Sequence, residues 1–271
     1  MTDFHGKNVL ITGAASGIGR LMALQIAAQE AHVILWDVNQ EGLTALGEEL
    51  KGQNRKASTY VCDLTQREAI YATAQQVRQE CGGVDILINN AGIVSGRPML
   101  EATDEAIIRT FDVNTLALFW TTRAFLPDMT NRNSGHIVTI ASAAGLVGTA
   151  RLTDYCASKF AAVGYADSLR VELKRQGSAI KTTLVCPYYI NTGMFTGAKT
   201  RFSWLLPILE PDYVANKIVA AIQKNQQRLI MPRFVLASYF VRLFPTWLFD
   251  SVMNTLGITK SMDEFTGRAG H

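Results

Sequence analysis

The sequence predicts an α/β fold built on one doubly wound, mostly parallel sheet of about seven strands, with helices on both faces and an apolar helical extension behind it. Three observations carry this expectation. Short apolar runs alternate with segments of helical period along the first 232 residues. The first run opens directly into a glycine-rich turn, Thr12-Gly13-Ala14-Ala15-Ser16-Gly17-Ile18-Gly19. An acid, Asp37, ends the second run eighteen residues after Gly19.

Taken in order, strands are expected at 8–12, 32–37, 57–62, 86–89, 135–140, 181–186 and 228–231. Between them, 39–51 and 65–80 have the polar and apolar sides of surface helices, whereas 103–129 and 155–176 are longer and more apolar. No internal repeat, linker or low-complexity tract interrupts the pattern. Residues 1–232 therefore read as one domain, within which 193–211 forms an apolar lid, and 233–271 as a helical extension.

Composition narrows the function classes. With 271 residues and 48% hydrophobic content, the chain buries a sizeable core. Its net charge of +3 is dispersed, with no block of five like charges, which argues against a nucleic-acid partner. Cys62, Cys81, Cys156 and Cys186 have neither CxxC spacing nor a histidine cluster, so no metal site is expected and the thiols read as reduced, in a cytoplasmic protein. Cys156 adjoins Tyr155, but His5, His32, His136 and His271 are too scattered to serve a thiol nucleophile. No basic start followed by an apolar stretch marks a signal peptide, and no 18-residue apolar run marks a transmembrane helix.

The glycine turn has the spacing G-x-x-x-G-x-G between a strand and a helix. Such a turn lets backbone approach a pyrophosphate closely and aims a helix N-terminus at it. A carboxylate at Asp37 would accept hydrogen bonds from ribose hydroxyls and repel a 2′-phosphate, and no Lys or Arg follows it immediately. The expected cofactor is therefore NAD rather than NADP, although Asp37 also suits a plain turn after a strand. Asp63, ending the third strand, suits either the adenine edge or a turn. Asn89-Asn90-Ala91-Gly92 after the fourth lets backbone pass close to a flat ligand, or else one amide braces neighbouring strands.

Tyr155 and Lys159 are four residues apart, hence on one helix face. A nearby ammonium favours phenolate and would draw the phenol down from about 10 toward neutrality, where it can act as general acid or base. Ser142, thirteen residues before Tyr155 and just after the fifth strand, can point its hydroxyl at the same substrate oxygen. An exposed helical pair has the same spacing. Asn114 is a polar residue in an apolar helix, which suggests a buried hydrogen-bonding role.

Together, TGAASGIG at 12–19, Asp37, Asp63, NNAG at 89–92, Asn114, Ser142 and Tyr155-x-x-x-Lys159 resemble the short-chain dehydrogenase/reductase family over roughly residues 6–232. The resemblance implies a Rossmann-type fold. It implies Tyr155 as catalytic acid/base, Ser142 polarising the substrate oxygen, Lys159 binding the nicotinamide ribose, and Asn114 holding a water behind that lysine. It places Gly13, Ser16, Gly17, Ile18, Gly19, Asp37, Asp63, Leu64, Asn90, Ala91, Gly92, Tyr155, Lys159, Pro187, Ile190 and Thr192 against the dinucleotide, Ile190 and Thr192 facing the nicotinamide amide and the pyrophosphate. One departure stands out: Tyr188 occupies the position after Pro187 where the family usually has glycine, which would narrow the pocket.

The stretch 186–211 is similar to the retinol dehydrogenase and 17β-hydroxysteroid dehydrogenase branch, whose members often carry an N-terminal membrane anchor that this sequence lacks. Met194, Phe195, Phe202, Trp204, Leu205 and Leu206 make the lid apolar, as a bulky hydrophobic alcohol or ketone requires, or simply pack on the domain. The tail at 233–258 should form two short apolar helices broken at Pro245, covered by a partner subunit, a membrane surface or the domain itself. Residues 261–271 are polar and expected to be mobile. The expected protein is thus an NAD-dependent oxidoreductase, a homodimer or homotetramer by resemblance. An NADP-linked reductase and a non-catalytic dinucleotide-binding scaffold are the rivals.

Overall fold

The computed structural model describes residues 1–267. Seven parallel strands lie in the order β3-β2-β1-β4-β5-β6-β7. They are β1 (Asn8–Thr12), β2 (His32–Asp37), β3 (Ala57–Val61), β4 (Ile86–Asn89), β5 (His136–Ile140), β6 (Lys181–Pro187) and β7 (Arg228–Met231). The strands match their expected positions to within a residue at either end. β6 runs on to Pro187, whose missing N–H is tolerated at the end of a ladder.

Alternation along β1 divides the core. Val9 and Ile11 pack against α1 (Gly17–Ala27), α2 (Gln40–Gly52) and α7 (Pro211–Gln223). Leu10 points the other way, toward α3 (Arg67–Cys81), α5 (Ala117–Asn131) and α6 (Thr153–Arg175). All three side chains are fully buried, each worth roughly 1.5–3 kcal/mol relative to exposure. Burial on both faces is why this strand reads as a continuous apolar run.

The long helix expected over 103–129 is in fact two: α4 (Asp104–Phe111) and α5, joined by a π-helical turn over Asp112–Leu116. The wider turn carries Asn114, and such turns often position functional side chains. The chain goes outward through β1, β2 and β3, then returns to place β4 beside β1. The loops leaving β1 and β4 therefore diverge around a crevice at the carboxyl end of the sheet, where ligands of such folds bind.

The tail forms α8 (Ala237–Val241) and α9 (Thr246–Thr255), with Pro245 capping the second. Val235 and Met253 are buried against Leu146, Val147, Leu184 and Cys186. Phe240, Leu243 and Trp247 remain 65%, 80% and 71% exposed, so packing covers only one side of this segment. Among the described residues no helix is long and apolar enough to cross a membrane. The expectation of mobility from 261 onward fails for 261–267: Ser261 and Met262 are buried and Phe265 packs beside the cleft. A short polar stretch can be immobilised by backbone hydrogen bonds that its composition does not reveal. Residues 268–271 lie outside the described residues.

His136 is buried at the start of β5, between Thr2 Oγ1 (3.1 Å) and Thr183 Oγ1 (2.8 Å). Burial, and secondarily the nearby Lys181 charge, lower its pKa from the usual 6.5 to about 4. Because the unfolded chain binds this proton more readily, the resulting stability is present above pH 6.5 and disappears as pH falls through 4. Wild-type protein should lose up to roughly 3 kcal/mol across that interval relative to His136→Asn, measured by urea denaturation at each pH.

Candidate active site

The glycine turn is shaped by close approach. Gly13 and Gly17 have φ of +66° and +56°, a region costly for other residues. A Cβ on Gly13 would lie 2.9 Å from Ala91 Cα, and one on Gly19 would collide with the Gly13 carbonyl oxygen. Ser16 stands at the N-cap position of α1 with extended backbone and no side-chain capping bond, so the first amides of the helix are left for another acceptor.

Thr12, which sequence reasoning passed over, ties the two loops together. Its Oγ1 accepts from the backbone amides of Asn90 (3.0 Å) and Ala91 (3.1 Å). Asn90 answers through Nδ2, donating to the carbonyls of Thr12 (2.9 Å) and Gly13 (3.1 Å). Its Oδ1 is buried without a hydrogen-bond partner among the described residues. Asn89 instead faces α5, accepting from Thr121 Oγ1 at 2.8 Å. Both amides are thus braces, and Asn90 also presents an unsatisfied acceptor at the crevice.

Asp37 accepts from Ala15 N through Oδ2 (2.9 Å) and from Asn39 N through Oδ1 (3.0 Å), so it holds the glycine turn as well as its own. A carboxylate has lone pairs left for a ribose. Asp63 is exposed and makes a local turn, accepting from Thr65 N and Oγ1, both at 2.9 Å. Leu64 packs against the core from its loop. Across the crevice, Pro187 ends β6, Ile190 bridges to Leu209 in parallel fashion, and Thr192 lies against Gly17, 3.6 Å from where a Cβ would stand. A cradle that a Cβ would fill, an unsatisfied buried oxygen and a helix N-terminus together fit a dinucleotide.

Ser142 and Tyr155 line the neighbouring cleft, and Lys159 is buried behind the Tyr155 ring. The Ser142 hydroxyl accepts from Ala144 N at 3.1 Å, donates to the Pro187 carbonyl at 3.5 Å, and is near enough to the Tyr155 phenol to favour its ionised form. Lys159, only 4% exposed, donates to the Ile140 carbonyl at 3.2 Å and stands 5.8 Å from the Tyr155 ring centre. Asn114 accepts from Ile93 N (2.8 Å) and donates to Ile93 O (2.9 Å) and Ser158 Oγ (3.0 Å). Ser158 Oγ in turn donates to the Tyr155 carbonyl at 2.8 Å. Ser158 was not anticipated, since a serine on a helix face carries no special signal. A Cβ on Gly92 would stand 3.3 Å from both Asn114 Oδ1 and Lys159 Nζ, which shows how closely the three meet.

The protonation balance differs from the expectation. Burial raises the Tyr155 phenol above its usual range, and the nearby Ser142 hydroxyl offsets only part of this. Burial pulls Lys159 down to about 8. The ammonium sits over the ring rather than against the hydroxyl, so within the protein alone desolvation outweighs its attraction for phenolate.

Ser142 and Tyr155 line a half-open cleft walled chiefly by apolar side chains from the lid and the tail, among them Phe195, Leu206, Val235 and Met253. Phe195 meets Tyr155 edge-on at 5.6 Å between ring centres, and Tyr189 at 5.0 Å. Tyr188 lines the cleft too, as its size suggested. The lid is only partly packed down: Leu206 is buried, whereas Trp204 is 80% exposed. Among the described residues no cluster of three metal-ligating side chains occurs.

Residues 7–201 match the family model for short chain dehydrogenase. Similar proteins include short-chain dehydrogenase/reductase family 16C member 6 of Bos taurus, 47% identical over 98% of this chain and 85% of that one. Epidermal retinol dehydrogenase 2 of Mus musculus is 46% identical, covering 97% and 86%. Retinol dehydrogenase 10 of Homo sapiens is 44% identical, covering 96% and 85%. Among solved structures, a short-chain dehydrogenase/reductase from Burkholderia phymatum in complex with NAD superposes with TM-score 0.82 at 26% identity, covering 96% of this chain and 98% of that one. A metagenomic short-chain oxidoreductase in complex with NADP gives 0.71 at 28% identity, covering 85% and 98%.

Replacing Thr12 by Val keeps its shape but leaves two half-buried amides without this acceptor. Thr12→Val should lose about 2 kcal/mol in urea denaturation, and Thr12→Ser should recover most of it.

Proposed function

The chain belongs to the short-chain dehydrogenase family, and on that premise we propose that it is an NAD(H)-dependent enzyme interconverting a hydrophobic alcohol and its aldehyde or ketone, with Tyr155 as acid/base. Kinship with retinol dehydrogenases makes it an oxidoreductase acting on CH–OH groups. The observation that carries the finer reading is that Ser142 and Tyr155 line one apolar cleft, with Lys159 buried beside the Tyr155 ring.

In the proposed chemistry the bound nicotinamide supplies or accepts the hydride. In alcohol oxidation, the Tyr155 phenolate takes the hydroxyl proton; in reduction, the neutral phenol returns it. Ser142 donates to the alkoxide-like oxygen, an oxyanion-type role. Lys159 grips the nicotinamide ribose and supplies positive charge. Asn114 holds the Ile93 backbone and Ser158 on the far side of Lys159, where the resemblance places a proton-relay water. Gly13, Ser16, Gly17, Ile18 and Gly19 hold the pyrophosphate with Thr192, and Asp37 the adenosine ribose. Asp63 and Leu64 flank the adenine, while Asn90, Ala91, Gly92, Pro187 and Ile190 face the nicotinamide half.

NAD is favoured because a carboxylate ends β2, where a 2′-phosphate would meet its charge. The solved neighbours include one with NAD and one with NADP. The apolar walls favour a retinoid, steroid or long-chain alcohol over a small polar diol. Residues 1–232 form the dinucleotide-binding and catalytic unit in this reading, and the tail roofs the substrate. The exposed Phe240, Leu243 and Trp247 then offer a face to a membrane surface or to a second subunit of a homodimer or homotetramer.

Tyr155→Phe should lose a hundredfold or more in turnover while NADH fluorescence still reports binding; undiminished turnover would remove the role. Because burial raises the phenol, oxidation should accelerate with pH across the alkaline range while reduction holds near neutrality. Direct titration should give tighter binding of NADH than of NADPH, and Asp37→Ala should narrow the difference by about tenfold. In liposome flotation, loss of binding on truncation at residue 232 would favour the membrane, and equal behaviour the subunit.

A further inference from the structure

The segment 261–267 makes contacts that neither the catalytic reading nor the composition accounts for. It packs in the cluster that holds Tyr155, between the lid and the loop leaving β4, and is fastened to both. On the lid side, Ser261 Oγ and Tyr189 Oη hydrogen-bond at 2.8 Å in a buried setting. Lys199 N donates to Ser261 O at 2.9 Å, and Thr266 N to Thr196 O at 3.0 Å. An exposed ion pair, Lys199 Nζ to Glu264 Oε2 at 2.5 Å, adds little by itself. On the opposite side, the Phe265 ring lies on Gly96, in the loop leaving β4.

Two glycines record how tightly this segment is seated. Gly96 and Gly197 both have positive φ, +65° and +86°. A Cβ on Gly96 would collide with the Phe265 ring, and one on Gly197 with the Glu264 carbonyl oxygen. Each glycine is thus required twice, by its backbone angle and by the segment against it. Met262 is fully buried in the same cluster as Tyr155, Tyr189 and Ala198.

We infer that residues 261–267 are a strap that ties the lid loop to the loop after β4 and holds Phe195 edge-on to Tyr155. The strap controls access to the reacting hydroxyls and keeps water from them. Two loops that would otherwise move separately are joined by one segment, so opening the site requires the strap to release. Excluding water strengthens every electrostatic interaction at the phenol. The kinetic consequence rests on the acid/base reading above; the mechanical one does not.

The test uses the otherwise complete chain ending at residue 260, and separately Phe265→Ala, which removes only the ring seated on Gly96. Hydrogen exchange over 193–202 should speed up at least tenfold in both, with α6 and β5 as protected as before. For a long-chain alcohol, kcat/KM should fall at least tenfold, chiefly in kcat, while NADH affinity stays within threefold. Unchanged lid protection in both variants overturns the strap, and so does deprotection extending through α6 and β5. Unchanged or raised kcat/KM with a loosened lid overturns its part in turnover. The exchange measurement keeps its meaning even if Tyr155→Phe proves fully active, so failure of the strap and failure of the acid/base assignment remain distinguishable.

Discussion

An ammonium group held almost out of water sets the terms for this site. Lys159 is buried at the carboxyl end of β5 with the Ile140 carbonyl as its hydrogen-bond acceptor and an aromatic face beside it. Such a group is costly to bury unless the surrounding dipoles are arranged for it. Gly92 leaves it room, Asn114 and Ser158 hold the neighbouring backbone in place, and α6 fixes its distance from Tyr155. The low polarity that draws the lysine toward neutrality also raises the phenol. The two groups therefore titrate further apart than they would in water, so a neutral phenol stands beside a weakly held ammonium until a bound cofactor and substrate change the surroundings.

The sheet explains why the parts meet. Reversal of strand order beside β1 separates the loops after β1 and β4, and Thr12 and Asn90 then tie those loops back together. The crevice is held open by topology and kept narrow by four hydrogen bonds between two short turns. Glycine at 13 and 19 is what permits that spacing, since any side chain there would occupy the place of backbone.

The cleft is a different kind of structure. Its floor belongs to the framework, through Ser142 just after β5 and Tyr155 on α6, but its walls come from the lid and the short tail helices. Aromatic edges among Tyr155, Phe195 and Tyr189 join floor to wall. A site so built keeps its reacting groups on rigid elements and leaves its selectivity to loops, which vary at little cost to the core.

Sequence alone determined the strand order of events: the apolar runs, the glycine turn, Asp37, and the pairing of Tyr155 with Lys159 on one helix face. These are local or periodic properties, written in neighbouring residues. Tertiary structure alone decided the rest. It put a π-turn at Asn114, made Thr12 the fastener of two loops, seated polar residues 261–267 against the lid, and raised the phenol where the pair's spacing had suggested the reverse. Each of these depends on which distant segment lands against a residue and how much water it displaces, and neither quantity is encoded within a few positions of the residue itself.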